Sequence, residues 1–237
     1  MQTLLVKDLG QVDYLTTMSL QERLVELKSR EGLPDIVLFV EHRHVFTIGR
    51  GGKESNVLSP GEVPVYRASR GGDVTYHGPG QMVVYPLLDL RSKLRKDVHR
   101  YLRYLERVSI RTLRVFGIKA KSSPPWTGVW IGKRKVASIG LAVRRGITYH
   151  GLALNVNTDL AYFSRIVPCG LTWAEMTSME RELGRELSME QVKQEFLREF
   201  VRKFRYEELK ELCHEDIRIG SRSEPLEART ISALSGF

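Results

Sequence analysis

Only two of the 237 residues are cysteines, Cys169 and Cys213, and no C-x-x-C pair occurs. Two thiols make no disulfide framework, and without paired cysteines a zinc site is not expected. No apolar run approaches the roughly 18 residues that a membrane-spanning helix needs. The opening stretch MQTLLVKDLGQVDY lacks the basic region and apolar core of a secretory signal, and also the Arg- and Ser-rich, acid-poor makeup of a transit peptide. A cytoplasmic location is therefore expected, with no membrane partner. Internal repeats, low-complexity tracts and an obvious linker are missing as well.

What is present is an ordinary globular composition, 42% hydrophobic and 27% charged, over a length that can bury a substantial core. The net charge of +9 is unevenly spread. Residues 91–150 hold 16 Lys/Arg against 2 Asp/Glu, whereas the flanking segments are slightly acidic. Such a field attracts an acidic partner, nucleic acid or protein. No helix-turn-helix pattern and no aromatic–basic motif of RNA-binding sheets accompanies it, so nucleic acid is not expected.

Periodicity places the elements. Tyr14, Met18, Leu24 and Leu27 suggest a first helix ending near Gly32 and Pro34. DIVLFVEH reads as a buried strand and VFTIGR as a short extended piece; VPVYRAS and QMVVYPLLDL look like strands on either side of a glycine-rich stretch at 71–80. Leu94, Val98, Leu102, Leu105, Val108, Leu113 and Phe116 recur at helical spacing, predicting one helix over about 92–116 with Gly117 just past its end. SSPP at 122–125 reads as a loop. Three strands with tight turns follow: TGVWI, KVASIGLAV and ITYHGLALNVN. Leu187, Val192, Phe196, Phe200 and Phe204 share one face of a late helix. Residues 1–206 are expected to form a single α/β domain of α+β type, a mixed sheet covered by helices, with 207–237 as a short helix and irregular tail.

Three stretches carry chemistry. SRGGDVTYHGPGQ at 69–81 combines glycines, which let backbone N–H groups approach a ligand, with Arg70, Thr75, Tyr76, His77 and Gln81. It matches neither the phosphate-binding loop nor the dinucleotide fingerprint. In GKRKVASIGLAV, Lys135 heads an apolar strand and is either its wet end or an inward-pointing amine, while Lys133 and Arg134 look like solvent-facing turn residues. His150 and Gly151 echo His77 and Gly78; His150 could equally be a satisfied core residue. In IVPCG, Cys169 is either a packed small hydrophobe or a nucleophile set in a turn. Cys213, in the polar run KELCHED, is a poor nucleophile candidate.

In order and spacing, RGGDVTYHGPGQMVVYP, GVWIGKRKVASIGLAVRRG and YHGLALNVNTDL running on to IVPCG resemble the octanoyltransferase family, also called lipoate-protein ligase B. The resemblance covers roughly residues 35–175. It implies a biotin/lipoyl protein ligase-like fold and transfer of an octanoyl group from octanoyl-acyl carrier protein to a lysine of a lipoyl domain. The acceptors implied are the lipoyl domains of 2-oxoacid dehydrogenase complexes and the glycine cleavage H protein. By the same resemblance Cys169 is the nucleophile, forming an acyl-thioester, and Lys135 its partner. The octanoyl-binding segments fall on Arg70, Gly71, Gly72, Asp73, Val74, Thr75, Tyr76 and His77, on Ser138, Ile139 and Gly140, and on Gly151, Leu152 and Ala153. No cofactor or metal is implied, and a monomer is expected.

Elementary chemistry agrees with such a residue set. Attack of a thiolate on a thioester gives another thioester at nearly equal energy, so the acyl group stays activated for amide formation. An ordinary thiol, titrating near pH 8.5, is only a few per cent ionised at neutral pH. Lys135 could favour the thiolate as a cation or accept the thiol proton as a neutral amine. Backbone N–H groups near Gly71–Gly72 or Cys169–Gly170 could serve the oxyanion. Ile139, Leu152 and Ala153 suit the walls of an acyl tunnel, at about 0.8 kcal/mol per buried methylene. The basic segment would steer an acidic carrier protein to the mouth of the site. The nearest alternative is an ATP-dependent lipoate or biotin ligase of the same fold, which activates a free acid as its adenylate and needs no cysteine.

Overall fold

The structure, a computed structural model, describes residues 2–212 and the backbone of 229–230. In chain order the elements are β1 (Thr3–Val12), α1 (Tyr14–Glu31), β2 (Asp35–His42), β3 (Val45–Ile48), β4 (Val65–Arg67), β5 (Val74–His77) and β6 (Gln81–Leu87). Then come α2 (Leu90–Lys93), α3 (Val98–Val115), β7 (Lys121–Ser123), β8 (Trp126–Ile131), β9 (Arg134–Arg144) and β10 (Ile147–Asn155). The chain continues with β11 (Glu175–Met176), α4 (Met179–Leu183), α5 (Met189–Phe204), β12 (Glu208–Glu211) and β13 (Arg229–Thr230).

Among the described residues, one large sheet runs β13-β12-β1-β2-β6-β10-β9-β8-β7, with β11 added alongside β9. The β1–β2, β1–β12 and β9–β11 pairs are parallel and the others antiparallel, so the sheet is mixed as expected. A small sheet, β4-β3-β5, stands beside it.

The central strands are buried on both faces, and their period of two divides the core. Val37, Phe39, Met82, Val84, Leu152 and Leu154 face a layer built from Leu105 and Val108 of α3 and Phe196 and Phe200 of α5. The intervening Ile36, Leu38, Val40, Val83, Tyr85 and Ala153 face Leu24 and Val25 of α1. The helices start where short polar side chains cap them: Asp97 accepts from Arg100 N at α3, and Ser188 from Gln191 N at α5.

Several expectations change. The helix expected over 92–116 is broken, because Arg95 and Lys96 take left-handed backbone angles and Asp97 then caps a new helix. Ser122 and Ser123 of the loop expected at 122–125 belong to β7, which pairs with β8. The stretch 71–80 contains a strand, β5, and β1 had no clear sequence signal. Glu208–Glu211, expected to begin a short helix, is strand because it docks in register on the free edge of β1. Apart from Arg229–Thr230, which pair with β12, the rest of the expected tail, with Cys213 and His214, lies outside the described residues.

Phe200 is fully buried between Phe196, Phe204 and Tyr206. Phe200→Ala is expected to lower the unfolding free energy by about 3–5 kcal/mol through the cavity it leaves, read from urea denaturation.

Candidate active site

Cys169 lies in a one-turn 3-10 segment, Pro168–Gly170, with left-handed backbone angles (φ 56°, ψ 19°). The segment is tied at both ends. Val167 N–H donates to Asn56 O (2.8 Å) at its start. At its far end β11 pairs with the first residues of β9, Met176 opposite Lys135, and Thr177 N–H donates to Lys135 O (3.0 Å). The loop that carries the sulfur therefore closes on the strand that carries the amine. Lys135 Nζ donates to Cys169 Sγ at 3.1 Å, with Lys135 only 3% exposed and the thiol half-buried.

Arg134 does not compete for the thiol. Its guanidinium, exposed to solvent as expected, is engaged by Glu182 in a bidentate pair (both 2.8 Å), and the residue opens β9 rather than lying in the turn. Asp73 supports the loop from the other side: Oδ2 accepts from Asn56 Nδ2 (2.7 Å) and Oδ1 from its neighbour Val74 N (2.7 Å). A methyl group on Gly170, which has φ +67°, would stand 2.7 Å from Asp73 Oδ2.

A narrow pocket, open at its mouth, runs beside Cys169. Residues 70–75, His77, 138–140 and 151–153 all line it. The glycine-rich stretch reaches the sheet because Gly71 N–H donates to Leu141 O (2.9 Å). A Cβ on Gly140 would come within 2.9 Å of Gly71 O, so this crossing requires glycine there. Tyr76 is the exception among the expected pocket residues. Strand alternation turns it away, into a cluster with Phe46, Tyr162 and Phe163, where its ring oxygen meets His44 Nδ1 (2.7 Å). Tyr14, Val83, Tyr85 and His150 also line the pocket. Of these only His150 carried a sequence signal; the others were read as helix or strand residues.

Burial keeps the histidines in and behind the pocket neutral. His42 Nδ1–H donates to Val12 O (2.8 Å), so its Nε2 accepts from Tyr85 OH (2.7 Å). Burial pushes His42 down to about 4 and His150 to about 3, and holds His77 well below the usual imidazole range. The same burial raises Tyr14 to about 12. Arg70 is buried too; its Nη2 donates to Thr47 O and Oγ1 (both 2.8 Å), while its Nε has no partner. Two expected oxyanion donors are already engaged, Gly71 N–H by Leu141 O and Gly170 N–H by Val167 O.

The basic residues of 91–150 are spread along the fold. Arg103 pairs with Glu106, which also accepts from Gly128 N–H near Lys135, whereas Arg144 ends β9 at the opposite end from Lys135, roughly 30 Å away at strand rise. Among the described residues no group of three acidic, histidine or cysteine side chains could hold a metal, and no helix is long and apolar enough to cross a membrane.

Two outcomes are expected. Gly170→Ala should displace the thiol from Lys135 and change the rate of Cys169 alkylation by iodoacetamide at least tenfold, with a small change in Tm. Because the folded protein binds fewer protons than the unfolded chain at its histidines, stability should fall as pH drops from about 6.5 to about 4. His42 alone should remove about 2 kcal/mol at pH 5, and a His42→Gln variant should flatten the dependence of urea midpoint on pH.

Residues 13–201 match the lipoyl protein ligase A/B catalytic domain. An octanoyltransferase of Geobacter sp. (strain M21) is 49% identical over 181 residues, 76% of this chain and 87% of that protein. One of Gloeobacter violaceus is 48% identical over 165 residues, covering 69% and 74%. Among solved structures, a bi-partite lipoate protein ligase from Thermoplasma acidophilum superposes with a TM-score of 0.68 at 19% identity, covering 91% of this chain and 88% of that one. Biotin protein ligase from Aquifex aeolicus gives 0.54 at 16% identity, covering 85% and 70%. These two establish the biotin/lipoyl ligase fold alone. The curated relatives and the matched catalytic domain go further: the chain belongs to the lipoyl protein ligase A/B family and, within it, to the octanoyltransferases, acyltransferases of lipoate biosynthesis.

Proposed function

We propose that this octanoyltransferase works through an acyl-thioester on Cys169, taking octanoyl from an acyl carrier protein and passing it to a lysine of a lipoyl domain. The observation that carries the reading is the 3.1 Å contact of Lys135 Nζ with Cys169 Sγ beside a largely apolar pocket. At that distance the amine and the thiol can exchange a proton directly, and the thiolate is the form that attacks.

In the first step the thiolate adds to the donor's thioester carbon and the carrier's sulfur leaves, taking a proton from the Lys135 ammonium. The enzyme is left with acyl-Cys169 and a neutral Lys135 amine. The acceptor lysine arrives as an ammonium and gives one proton to Lys135. Its amine adds to the thioester carbon, a second proton passes to solvent, and Cys169 leaves as the thiolate. Amide, free carrier thiol and the starting Lys135–Cys169 pair result. Both tetrahedral intermediates need an oxyanion donor, and the unpartnered Nε of Arg70 in the pocket lining is the group we assign. The segments 70–75, 138–140 and 151–153 hold the acyl chain. The three histidines near it stay neutral and leave proton transfer to Lys135.

Intact mass after mixing with octanoyl-carrier protein, without acceptor, tests this. Wild type is expected to gain one octanoyl group and Cys169→Ala none. Lys135→Ala should load slower by about 10²–10⁴-fold, the usual worth of a positioned acid–base group. Transfer by a wild type that never carries the acyl group would sink the thioester. A requirement for ATP with free octanoate, retained in Cys169→Ala, would favour a ligase.

A further inference from the structure

Three indoles step outward from the amine that touches Cys169. Lys135 Nζ lies 5.3 Å from the ring centroid of Trp130, which is 1% exposed. Trp173, four residues after Cys169, stacks on Trp130 at 5.6 Å and 15°. Trp126 meets Trp173 edge-on, also at 5.6 Å. The inner ring is fully buried, yet Trp173 is 49% and Trp126 39% exposed. Large apolar rings left open to water beside a reactive pair mark a contact surface. Trp130 Nε1 is buried with no hydrogen-bond partner, an unusual cost for a finished core.

Resting on the thioester reading above, we propose that Trp126 and Trp173 form the entry subsite for the acceptor lysine. A lysine side chain is a four-carbon stem ending in an ammonium. The stem covers apolar rings and the head is attracted to indole faces. Trp130 already holds one ammonium in this way, that of Lys135, so the same surface continued outward suits a second. The subsite delivers the incoming ammonium to where Lys135, neutral after acyl loading, takes its proton. A pantetheine arm, uncharged and rich in amides, gains nothing comparable from indole faces. Exposed lysines flank the inner indole in the chain: Lys121 is the cross-strand partner of Trp130, and Lys133 lies in the turn three residues after it. They fit a protein loop whose lysine has acidic neighbours.

The two half-reactions separate donor from acceptor. Wild type, Trp173→Ala, Trp126→Ala, Trp173→Phe and Trp173→Leu are loaded with octanoyl from octanoyl-carrier protein. The isolated acyl-enzymes are then mixed with a lipoyl domain. Loading is expected to stay within twofold. Transfer at low acceptor concentration should fall tenfold or more in the alanine variants through a raised half-saturating concentration. Trp173→Phe should recover part of it and Trp173→Leu less, since only an aromatic face attracts the ammonium. Slowed loading with unchanged transfer would overturn the proposal and give the rings to the donor; so would no change in either. If wild type forms no acyl-enzyme, the thioester reading fails separately. Titrating the unloaded enzyme with the lipoyl domain then decides this inference, since indole fluorescence should change and Trp173→Ala should weaken binding.

Discussion

A thiol and an amine can stay 3.1 Å apart only if both are anchored, because neither a lysine stem nor a turn is stiff by itself. The amine's strand is an inner member of the large sheet, with β10 on one side and β8 on the other. The thiol's turn is pinned by Asn56 at its entry and by the β11–β9 pair at its exit. Left-handed backbone at Cys169 costs of order 1 kcal/mol or more, and this double anchoring sustains it. Asn56 acts twice, with its carbonyl on Val167 and its side chain on Asp73. Asp73 in turn belongs to the glycine-rich segment over the pocket. The chemistry of one contact is thus tied to the placement of the whole acyl site.

The polar groups in and around that largely apolar pocket carry little charge. His42, His77 and His150 are buried and neutral, and Tyr14 and Tyr85 keep their protons. Arg70 is the buried cation of the lining, and burial works against its charge as well. A thioester carbonyl that becomes an oxyanion would offset this cost. In the thioester mechanism we propose, neutral rings packed around the acyl chain exclude water from an intermediate that hydrolysis would waste.

How much of this was legible in the sequence depended on whether a residue's surroundings were local. Strands β8, β9 and β10 are joined by two-residue turns and read directly from their apolar runs. Helix α5 was visible because Val192, Phe196, Phe200 and Phe204 all face the core. Strand β1 was not, since its partners β2 and β12 are supplied from distant parts of the chain. Val74–His77 looks like loop among glycines, yet all four residues are buried between the pocket and the aromatic cluster. The pocket segments were recognisable as a set, but the outward turn of Tyr76 follows from the pleat of a strand hidden in that loop. Tyr14 joins the pocket through the placement of α1, and Trp126 and Trp173, 47 positions apart, meet only through the β11 closure. No periodicity encodes any of these.

The fold does not separate an acyl-transfer enzyme from an acid-activating ligase, since solved ligases share it at 16–19% identity. The distinction has to come from how activation energy is carried. A ligase spends a nucleotide to activate a free acid; a transferase receives an acyl group already activated and must only avoid losing it. A sulfur nucleophile conserves that activation, and a buried amine that gives up a proton in one half-reaction and regains one in the next returns the pair to its starting state. In the mechanism we propose, Lys135, held over Trp130 and against Cys169, does both, and exposed indoles beside it extend the same surface toward the solvent from which the second amine must come.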